Sequence, residues 1–293
     1  MPPARVEVQV EGRTLSLSNL GKVMYPEVGF TKGEVIDYYT RVAPYLLPHL
    51  RDRPLTLKRY PNGVEGGHFY EKNCPSHAPE WVRKERVDMI PYCICDDLPT
   101  LVWLANLADL ELHPSLSLAD DIDRPTTMAF DLDPGPPAGL AECCEVAVLL
   151  RDALAQLGLE SFAKTSGSKG IQVYAPLNLD GVDYDHGTKA LSQALARHLE
   201  RQHPKLVVSQ QRRDLRRGKV LIDWSQNDEH KTTVCVYSLR ARERPTVSTP
   251  LRWEELEDPD ALVFEAADVL SRVEEDGDLF APVAELRQEL PGL

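Results

Sequence analysis

The chain has 293 residues, of which 42% are hydrophobic and 27% charged, as in folded globular proteins rather than disordered or fibrous ones. Its length suits one large domain or two closely joined subdomains. No run of residues approaches the roughly 18 apolar positions that a membrane helix needs, and the N-terminus lacks the apolar core of a signal peptide. We therefore expect a protein that resides in the cytoplasm and does not enter a membrane.

The net charge of −13, from 33 basic and 46 acidic residues, at first argues against nucleic-acid binding, which depends on the neutralisation of phosphates. Binding depends on local patches, however, and not on the sum over the chain. Residues 205–219 hold six basic side chains and one acidic side chain. Residues 51–59 hold four basic side chains and one acidic side chain. Each segment is either a solvated surface or a contact for phosphates, and both interpretations stay open at this point.

Six cysteines are present, and none of them forms a CxxC pair. We expect no disulfide, because an intracellular chain of this size does not need one. Cys74 and His77 have the spacing of metal ligands, and Cys93 and Cys95 could complete a zinc site. The paired spacings of structural zinc sites are missing, so a zinc site is the minor alternative.

The first part of the chain begins with alternating apolar and polar residues over 5–17, with Gly12 at a turn, and this pattern predicts a hairpin. A helix is predicted to begin at Thr31, which can form a capping box with Glu34. Apolar residues follow at helical spacing. Three further elements are predicted here: a strand over 54–60, a short strand over 68–72 and a helix over 101–110.

The character of the sequence changes near residue 120, where acids and Pro125 predict a loop and a soft boundary between subdomains 1–120 and 121–293. The pattern beyond predicts the order β-α-β-β-α-β-β, which resembles a ferredoxin-like or RNA-recognition-like sheet. The residues after Trp253 are helical and acidic in pattern, and we expect them to pack on the outside. The predicted elements are strand 128–133, helix 141–157, two strands within 161–177, helix 188–202, and strands 219–227 and 232–240.

Acidic residues interrupt two of the apolar strands. Side chains alternate between the faces of a strand, so Asp131 and Asp133 share one face, opposite to Leu132. Asp223 lies in a second apolar strand, where an acid is costly unless it is paired or bound to a metal. Mg²⁺ and Mn²⁺ prefer oxygen ligands, and two ions held by three carboxylates are usual for phosphoryl-group displacement. The alternative for Asp131 and Asp133 is a strand-end acid pair that caps a neighbouring helix.

Eight motifs stand in a fixed order along the chain: LSNLGKVMYP, TKGEVIDYY, RPLTLKRYPNG, HFYEK, FDLDPG, TSGSKGIQVYAPL, GKVLIDWSQN and KTTVCVYSLRAR. Together they resemble the polymerase domain of bacterial ligase D, in the archaeo-eukaryotic primase superfamily. The resemblance runs from about residue 15 to residue 290. It implies an α+β primase fold in a single catalytic domain, with an N-terminal α/β module packed on an RNA-recognition-like antiparallel sheet with helices.

The resemblance implies a DNA-dependent nucleotidyltransferase that adds nucleotides, ribonucleotides by preference, to 3′ ends at gaps or double-strand breaks during bacterial DNA repair. The implied cofactors are two Mn²⁺ or Mg²⁺ ions. The implied partners are gapped or broken DNA with a 5′-phosphate, NTPs or dNTPs, a bacterial ATP-dependent DNA ligase and Ku, and the implied location is the nucleoid. The family includes domains fused to ligases and separate enzymes that work with ligase C, and this chain resembles the second kind or an excised domain.

The family's functional residues fall on positions of this chain that match the motifs. The catalytic and metal-binding aspartates fall on Asp131, Asp133 and Asp223. Nucleotide contacts are implied for His113, Ser166, Lys169, Gln172, Lys231, Arg240 and Arg242. Contacts with the template and with the 5′-phosphate of the downstream strand are implied for Asn19, Lys22, Lys32, Lys58, Arg59, Phe69 and Tyr70.

Several of these roles have plainer alternatives. The segment TSGSKG would expose backbone N–H groups to an anion, but an ordinary hairpin turn would look the same. Phe69 and Tyr70 would either stack on bases or pack in the core. Arg240 and Arg242 alternate along the last predicted strand and would share one face, or they would be solvated at its edge.

The chain departs from the family pattern at Gln172, where the family often has histidine. Glutamine can donate a hydrogen bond to a phosphate or sugar, but it carries no positive charge. Two other functions are alternatives. One is a haloacid-dehalogenase-type phosphatase using Asp131 and Asp133, although Pro134 and Gly135 follow where such enzymes usually have Thr or Val. The other is a non-catalytic module that binds DNA ends.

Overall fold

The computed structural model of the protein describes residues 5–179 and 181–291. No helix within these ranges is both long enough and apolar enough to cross a membrane. The strands are β1 (Arg5–Val10), β2 (Arg13–Ser18), β3 (Val23–Tyr25), β4 (Phe30–Thr31), β5 (Leu55–Arg59), β6 (Phe69–Glu71), β7 (Lys84–Val87), β8 (Ile90–Cys93), β9 (Asp109–Pro114), β10 (Ser117–Leu118), β11 (Asp121–Pro125), β12 (Thr127–Pro134), β13 (Phe162–Thr165), β14 (Ile171–Pro176), β15 (Val207–Val208), β16 (Val220–Asp223) and β17 (Pro250–Leu251). The α-helices are α1 (Lys32–Leu50), α2 (Leu98–Asn106), α3 (Leu140–Gln156), α4 (Lys189–Gln202), α5 (Ala266–Asp276) and α6 (Ala281–Glu285).

The described residues form two compact units. The first unit contains the chain up to Pro114 together with Val234–Val247 and Phe264–Asp278, and the remaining segments form the second unit. A boundary near residue 120 describes only the first passage of the chain from one unit to the other. The two later returns to the first unit are not marked by a change in composition, so the sequence did not predict them.

The first unit begins with the predicted hairpin, which is confirmed, since β1 and β2 pair as antiparallel strands. Glu11 and Gly12 both have positive φ, at 47° and 77°, as a two-residue turn of this kind requires. The capping box at the start of α1 is also confirmed: the Thr31 side chain accepts from the backbone N–H of Glu34, whose carboxylate accepts from the N–H of Thr31. These local signals set the start of the longest helix.

A five-stranded antiparallel sheet forms the centre of the first unit, in the order β6-β5-β8-β7, with β9 also paired to β5. The strands predicted over 54–60 and 68–72 are confirmed as β5 and β6. The helix predicted over 101–110 is too long, because α2 ends at Asn106 and Leu110 lies in β9. Ala108 has a positive φ of 59°, which ends the helix, and apolar residues continue into the buried strand. Val269 and Val273 of α5 are buried, so this acidic helix contributes to the core and does not only cover the outside.

The expectation that the cysteines form no disulfide is wrong. Cys74 and Cys93 are joined by a disulfide, with their Cα atoms 4.8 Å apart. Cys95 is a free, buried thiol, and the His77 ring lies 6.2 Å from the Trp103 ring. The structure does not support the zinc alternative, because the disulfide uses Cys74 and Cys93, two of the four residues proposed as zinc ligands.

The second unit is built on a six-stranded sheet in the order β15-β16-β12-β14-β13-β17. All of its pairings are antiparallel except that of β15 with β16, which is parallel. Helices α3 and α4 pack on this sheet, and α3 is followed by Gly158, whose φ of 77° suits a residue that ends a helix. The predicted sequence of two β-α-β segments is therefore present from β12 to β16.

Two strand predictions in this half of the chain need correction. The strand predicted over 219–227 ends at Asp223, because the Asp223 carboxylate accepts the N–H of Ser225 and starts a short 3₁₀ turn over Trp224–Gln226. The strand predicted over 232–240 is wrong, since this segment makes only isolated bridges. Tyr237 has a φ of 63°, which no strand accommodates. Its neighbours on both sides are buried, so this apolar run does not alternate between buried and exposed residues.

Candidate active site

A row of polar side chains crosses four neighbouring strands of the six-stranded sheet. Asp223 on β16 lies opposite Asp131 on β12, Asp131 lies opposite Gln172 on β14, and Gln172 lies opposite Lys164 on β13. Directly opposite residues of antiparallel strands project from the same face. Asp133 projects from this face as well, because it lies two residues beyond Asp131. The three aspartates predicted from the sequence are thus brought to one face of one sheet.

Gln172 links the acidic end of this row to its basic end. Its Nε2 donates to Oδ1 of Asp131 at 3.1 Å, and its Oε1 accepts from Nζ of Lys164 at 2.5 Å. Lys164 is 1% exposed, donates also to Oγ of Ser248 at 2.7 Å, and lies 5.4 Å from the centre of the Tyr174 ring. The amide of Gln172 is therefore held in one orientation, with its donor end toward the acids.

The carboxylate of Asp223 is 8% exposed and is satisfied within its own turn. Its Oδ1 accepts from the backbone N–H of Ser225 at 3.0 Å and from the Ser225 hydroxyl at 2.6 Å, and its Oδ2 accepts from Nε2 of Gln226 at 3.0 Å. The carboxylate of Asp131 is less well stabilised by hydrogen bonds than that of Asp223. Burial and the charges of Asp133 and Asp223 raise the pKa of Asp131 to about 7, although the hydrogen bond from Gln172 acts against them.

The three aspartates fit a hard divalent cation by their chemistry. Among the residues that the structure describes, no three acidic, histidine or cysteine side chains already stand close enough together to ligate one ion. The donor set is nevertheless composed of carboxylate oxygens, which suit Mg²⁺ and Mn²⁺. The raised pKa of Asp131 indicates that the like charges repel one another, and a bound cation would relieve that repulsion. The acids therefore fit the predicted ions, provided that their side chains turn toward them.

The segment TSGSKG forms the turn between β13 and β14 and lies against the strand that carries the acids. A Cβ atom at Gly170 would come 2.1 Å from the carbonyl oxygen of Leu132, so only glycine permits this approach. Within the turn, the Ser166 hydroxyl accepts the N–H groups of Ser168 and Gly170 at 3.3 and 3.1 Å. These N–H groups are thus not exposed to an anion as expected, whereas the Lys169 side chain is exposed.

A second set of predicted residues lies in the first unit, around the carboxylate of Glu111 on β9. Glu111 is 2% exposed, and its Oε2 lies 3.1 Å from Nε2 of His113 and 3.0 Å from Nζ of Lys58. Nε of Arg240 lies 3.3 Å from the same oxygen. Three residues to which the family resemblance assigns nucleotide or DNA contacts therefore surround one buried acid.

Two exposed aromatic side chains project from β6 beside the basic residues of β5. Register pairs Lys58 with Tyr70 and Arg59 with Phe69. Nζ of Lys58 lies 5.5 Å from the Tyr70 ring centre, and the Arg59 guanidinium lies 5.2 Å from that of Phe69. Phe69 is 44% exposed and Tyr70 59%, so these rings do not pack in the core. Adjacent strand residues project from opposite faces, so the two cation–ring pairs lie on different faces of the sheet, and each exposed ring is suited to stacking on a base.

The predicted 5′-phosphate residues lie at the start of α1. Asn19 and Lys22 line an open pocket of about 510 Å³ together with Val6, Leu20 and Gly21. Lys32 is the first residue of the helix, and its Nζ donates to the carbonyl oxygen of Ser18 at 2.7 Å. Burial, and then the charge of Lys22, lower the pKa of Lys32 to about 8. Two lysines that repel each other would be stabilised by an anion.

The remaining basic residues are more scattered than the sequence predicted. Arg240 and Arg242 do not alternate along a strand, because the segment around them is irregular. Arg240 points to Glu111, Arg242 is exposed, and Lys231 is an exposed residue of the second unit. Their contact with a nucleotide stays a prediction.

Two buried charged residues, Glu111 and Lys164, were missed from the sequence. The sequence around each residue resembles that of any charged residue in a strand. Only the cross-strand register places Lys164 beside Gln172 and Glu111 beside Lys58. The one available signal for Glu111 was the run DLELH, in which three polar side chains recur at every second residue of an otherwise apolar strand.

The fold and the site define an α+β protein with an acidic row across a largely antiparallel sheet. The sequence model of the LigD primase-polymerase domain matches residues 31–280. The chain is 41% identical over 273 residues to the multifunctional non-homologous end joining protein LigD of Mycolicibacterium smegmatis, which covers 91% of this chain and 36% of that protein. It is 32% identical over 264 residues to the bifunctional non-homologous end joining protein LigD of Bacillus subtilis, and this match covers 90% of this chain and 43% of that protein.

A solved structure gives the same result. The fold matches the polymerase domain from Mycobacterium tuberculosis ligase D in complex with DNA, with a TM-score of 0.87, 39% identity, and coverage of 94% of this chain and 99% of that one. The chain belongs to the LigD primase-polymerase domain family, and the resemblance and the α+β fold predicted from the motifs are confirmed. It spans less than half the length of the two LigD proteins compared above.

Proposed function

We propose that this chain is a single catalytic domain, a DNA-dependent primase-polymerase that adds nucleotides to the 3′ ends of gapped or broken DNA and prefers ribonucleotides. The observation that carries the proposal is the placement of Asp131, Asp133 and Asp223 on one sheet face in a chain of the LigD primase-polymerase family. Three carboxylates are the donor set for the two Mn²⁺ or Mg²⁺ ions that nucleotidyl transfer uses. The family match favours this function over the phosphatase alternative.

In this proposal, Asp131, Asp133 and Asp223 hold the ions. When bound, such ions lower the pKa of the attacking 3′-hydroxyl and stabilise the leaving pyrophosphate. Gln172 orients Asp131 through the hydrogen bond from its Nε2, and Lys164 holds the other end of the amide. Gln172 therefore acts on a metal ligand in addition to any contact with the nucleotide.

The basic residues assigned to the nucleotide supply charge for the triphosphate. Lysine and arginine side chains form short, charge-assisted hydrogen bonds with phosphate oxygens. Lys169 and Lys231 are exposed and available for this purpose. The remaining residues that we assign to the nucleotide are Ser166, His113, Arg240 and Arg242.

The first unit supplies the proposed DNA contacts. Exposed Phe69 and Tyr70 would stack on template bases without regard to sequence, with Lys58 and Arg59 behind them. Asn19, Lys22 and Lys32 would bind the 5′-phosphate of the downstream strand, because two neighbouring cations favour a doubly charged anion. Recognition of that phosphate would direct the enzyme to gaps and breaks.

The proposed cellular setting follows from this substrate. A domain that fills gaps needs a ligase to seal the strand, so we propose a bacterial ATP-dependent DNA ligase as a partner and Ku as the protein that holds broken ends. Such work would take place at the nucleoid in the cytoplasm. The proteins of this family compared above are named for non-homologous end joining, which supports this setting.

The test is extension of a primer in a gapped duplex, with and without the downstream 5′-phosphate, in Mn²⁺ or Mg²⁺, with NTPs compared with dNTPs. We expect the wild-type chain to extend, to use NTPs faster, and to gain about tenfold in apparent affinity from the phosphate. Asp131→Ala and Asp223→Ala should abolish extension while the protein stays folded. Asp152→Ala, on the exposed face of α3, is the matched control and should extend normally.

Three other outcomes would contradict the proposal. Extension by folded Asp131→Ala would refute the assignment of the metal site. Binding to phosphorylated gaps without extension in either metal would identify a DNA-end-binding module. Release of phosphate from a phosphomonoester with Mg²⁺ alone, without a nucleic-acid strand, would favour the phosphatase alternative.

A further inference from the structure

Glu111 is a buried carboxylate at the centre of a cluster of cationic and hydroxyl side chains in the first unit. Its Oε2 contacts His113, Lys58 and Arg240, as described above. Its Oε1 accepts from the Tyr60 hydroxyl at 3.1 Å and from the backbone N–H of Ala241 at 3.1 Å. Both carboxylate oxygens are therefore fully used, although the residue is 2% exposed.

The sheet register explains why the acid lies there. Glu111 and His113 are two residues apart on β9 and so project from one face. Lys58 on β5 lies directly opposite Glu111, so its ammonium reaches the carboxylate across the strand pair. Arg240 and Ala241 come from the irregular segment that returns to the first unit late in the chain.

The carboxylate is ionised at neutral pH. Burial acts to raise the pKa of Glu111, but the hydrogen bond with His113 and the charges of Arg240 and Lys58 outweigh burial and hold that pKa well below its usual range. An ionised carboxylate only accepts hydrogen bonds. The proton between Glu111 and His113 must therefore lie on Nε2 of the imidazole.

The proton on Nε2 also decides the protonation of Nδ1, the other ring nitrogen of His113. Burial lowers the pKa of His113, although Glu111 acts in the opposite direction, so the ring is neutral at and above neutral pH. A neutral imidazole with its proton on Nε2 has a lone pair on Nδ1. None of the hydrogen bonds found among the described residues uses Nδ1 of His113.

We propose that Glu111 is a positioning residue of the nucleotide site: it fixes the Nε2–H tautomer of His113, so that Nδ1 accepts a hydrogen bond from the incoming nucleotide, and it holds Lys58 and Arg240 together against their mutual repulsion. This inference rests on the proposed function, because His113 and Arg240 matter here as nucleotide contacts. It assigns a role to a residue that touches neither the substrate nor the ions.

The first test uses the wild-type chain alone. Imidazole ¹⁵N shifts of His113, assigned by comparison with His113→Asn, report which nitrogen carries the proton at pH 7.5 to 8. We expect protonated Nε2 and unprotonated Nδ1. An Nδ1–H tautomer would overturn the proposal without any Glu111 variant, and it would do so even if the chain proved to have no polymerase activity.

The second test replaces the charge and keeps the shape. In Glu111→Gln the amide can donate or accept, so the His113 tautomers should mix, the His113 pKa should fall further, and KM for the nucleotide should rise about tenfold, with kcat changed less. Glu85→Gln, a partly exposed acid on β7 paired with Arg83, is the matched control and should behave as wild type. An unchanged tautomer and KM in folded Glu111→Gln would overturn the proposal.

A double-mutant cycle separates positioning from a merely structural effect. If Glu111 acts through His113, then Glu111→Gln should add little to the rise in KM already caused by His113→Asn. Losses that multiply in full would show that Glu111 does not act through His113, and would overturn the proposal. If wild type extends no primer under any condition, the proposed function fails, and the tautomer measurement still decides whether Glu111 fixes His113.

Discussion

Asp131 and Asp223 lie directly opposite each other on the neighbouring antiparallel strands β12 and β16. Opposed like charges on a sheet destabilise it, and Asp133 adds a third carboxylate to the same face. The hydrogen bond from Gln172 offsets only part of this repulsion, so the pKa of Asp131 is raised to about 7 by burial and by its acidic neighbours. The acidic row is therefore kept at a cost in stability that a bound cation would remove.

The first prediction is that Asp131→Asn stabilises the protein in the absence of divalent ions. A carboxyl whose pKa is raised by folding contributes stability below its unfolded pKa and loses it as the pH rises through its folded pKa, here about 7. At pH 8 in EDTA the variant should therefore melt a few degrees above wild type, at roughly 2–4 °C per kcal/mol. The gain should shrink as the pH is lowered from 8 to 5, as measured by thermal melts.

The same variant should respond differently to metal. Mn²⁺ added at pH 8 should raise the melting temperature of wild type and have much less effect on Asp131→Asn. Asp152→Asn, whose parent is exposed and paired with Arg151, controls for a general effect of removing an acid. A variant that melts below wild type at pH 8 in EDTA would contradict the view that Asp131 is repelled by its neighbours.

The second prediction concerns Gln172→His, which introduces the residue that the family resemblance led us to expect at this position. A neutral imidazole can donate from one nitrogen to Asp131 and accept at the other from Lys164, so it can replace both hydrogen bonds of the amide. We expect extension activity within about threefold of wild type and a free energy of unfolding within about 1 kcal/mol. Primer extension and urea denaturation are the measurements.

Lys164→Met removes the other end of this link while keeping the length of the side chain. Oε1 of Gln172 and Oγ of Ser248 would lose a charged donor in a buried site, which costs about 1–3 kcal/mol. Extension should also fall, because the amide of Gln172 is no longer fixed toward Asp131. If Lys164→Met is as stable and as active as wild type, the link from Lys164 through Gln172 to Asp131 contributes to neither stability nor activity.

The features predicted correctly from the sequence are those set by local rules. The period of two along β12 places Asp131 and Asp133 on one face wherever the strand lies. The capping box of Thr31 and Glu34 is local to one turn of helix and fixed the start of α1. The ordered motifs supplied Asp223, which no local rule connects with the other two acids.

The features that were missed depend on partners distant in the sequence. Glu111 and Lys164 would be unremarkable strand charges without the register that buries them beside Arg240 and Gln172. The segment after Thr232 is buried on all sides, so its apolar run has no alternation that could reveal the bend at Tyr237. Six cysteines allow many pairings, and spacing does not select Cys74 with Cys93.

The third prediction follows from that disulfide, which closes a loop between residues 19 positions apart. A crosslink over a loop of this size stabilises a folded chain by about 3 kcal/mol, mainly by restricting the unfolded state. We expect four thiols in the denatured, unreduced protein and six after reduction, with a lower melting temperature in reductant. Cys93→Ser should melt at the same temperature with and without reductant, and six thiols in the unreduced protein would refute the crosslink.

The fourth prediction concerns the pH dependence of 5′-phosphate recognition. Burial and the nearby charge of Lys22 lower the pKa of Lys32 to about 8. The folded state therefore binds this proton more weakly than the unfolded state does. The unprotonated Lys32 contributes stability at high pH, and that contribution is lost as the pH falls through about 8. A bound phosphate supplies the missing countercharge, so it should stabilise the protein most where Lys32 is protonated.

The ratio of dissociation constants for gapped DNA with and without the 5′-phosphate isolates this effect. A terminal phosphate has a second pKa of about 6 and is mostly dianionic from pH 7 upward, so the ratio should change chiefly with the protein. We expect the preference for phosphorylated DNA to weaken by about tenfold between pH 7 and pH 9.5, as Lys32 loses its proton. Lys32→Arg keeps its charge throughout this range and should remove the pH dependence, whereas Lys84→Arg, at an exposed position of β7, should retain it. A preference that stays constant with pH in wild type would exclude Lys32 from the phosphate site.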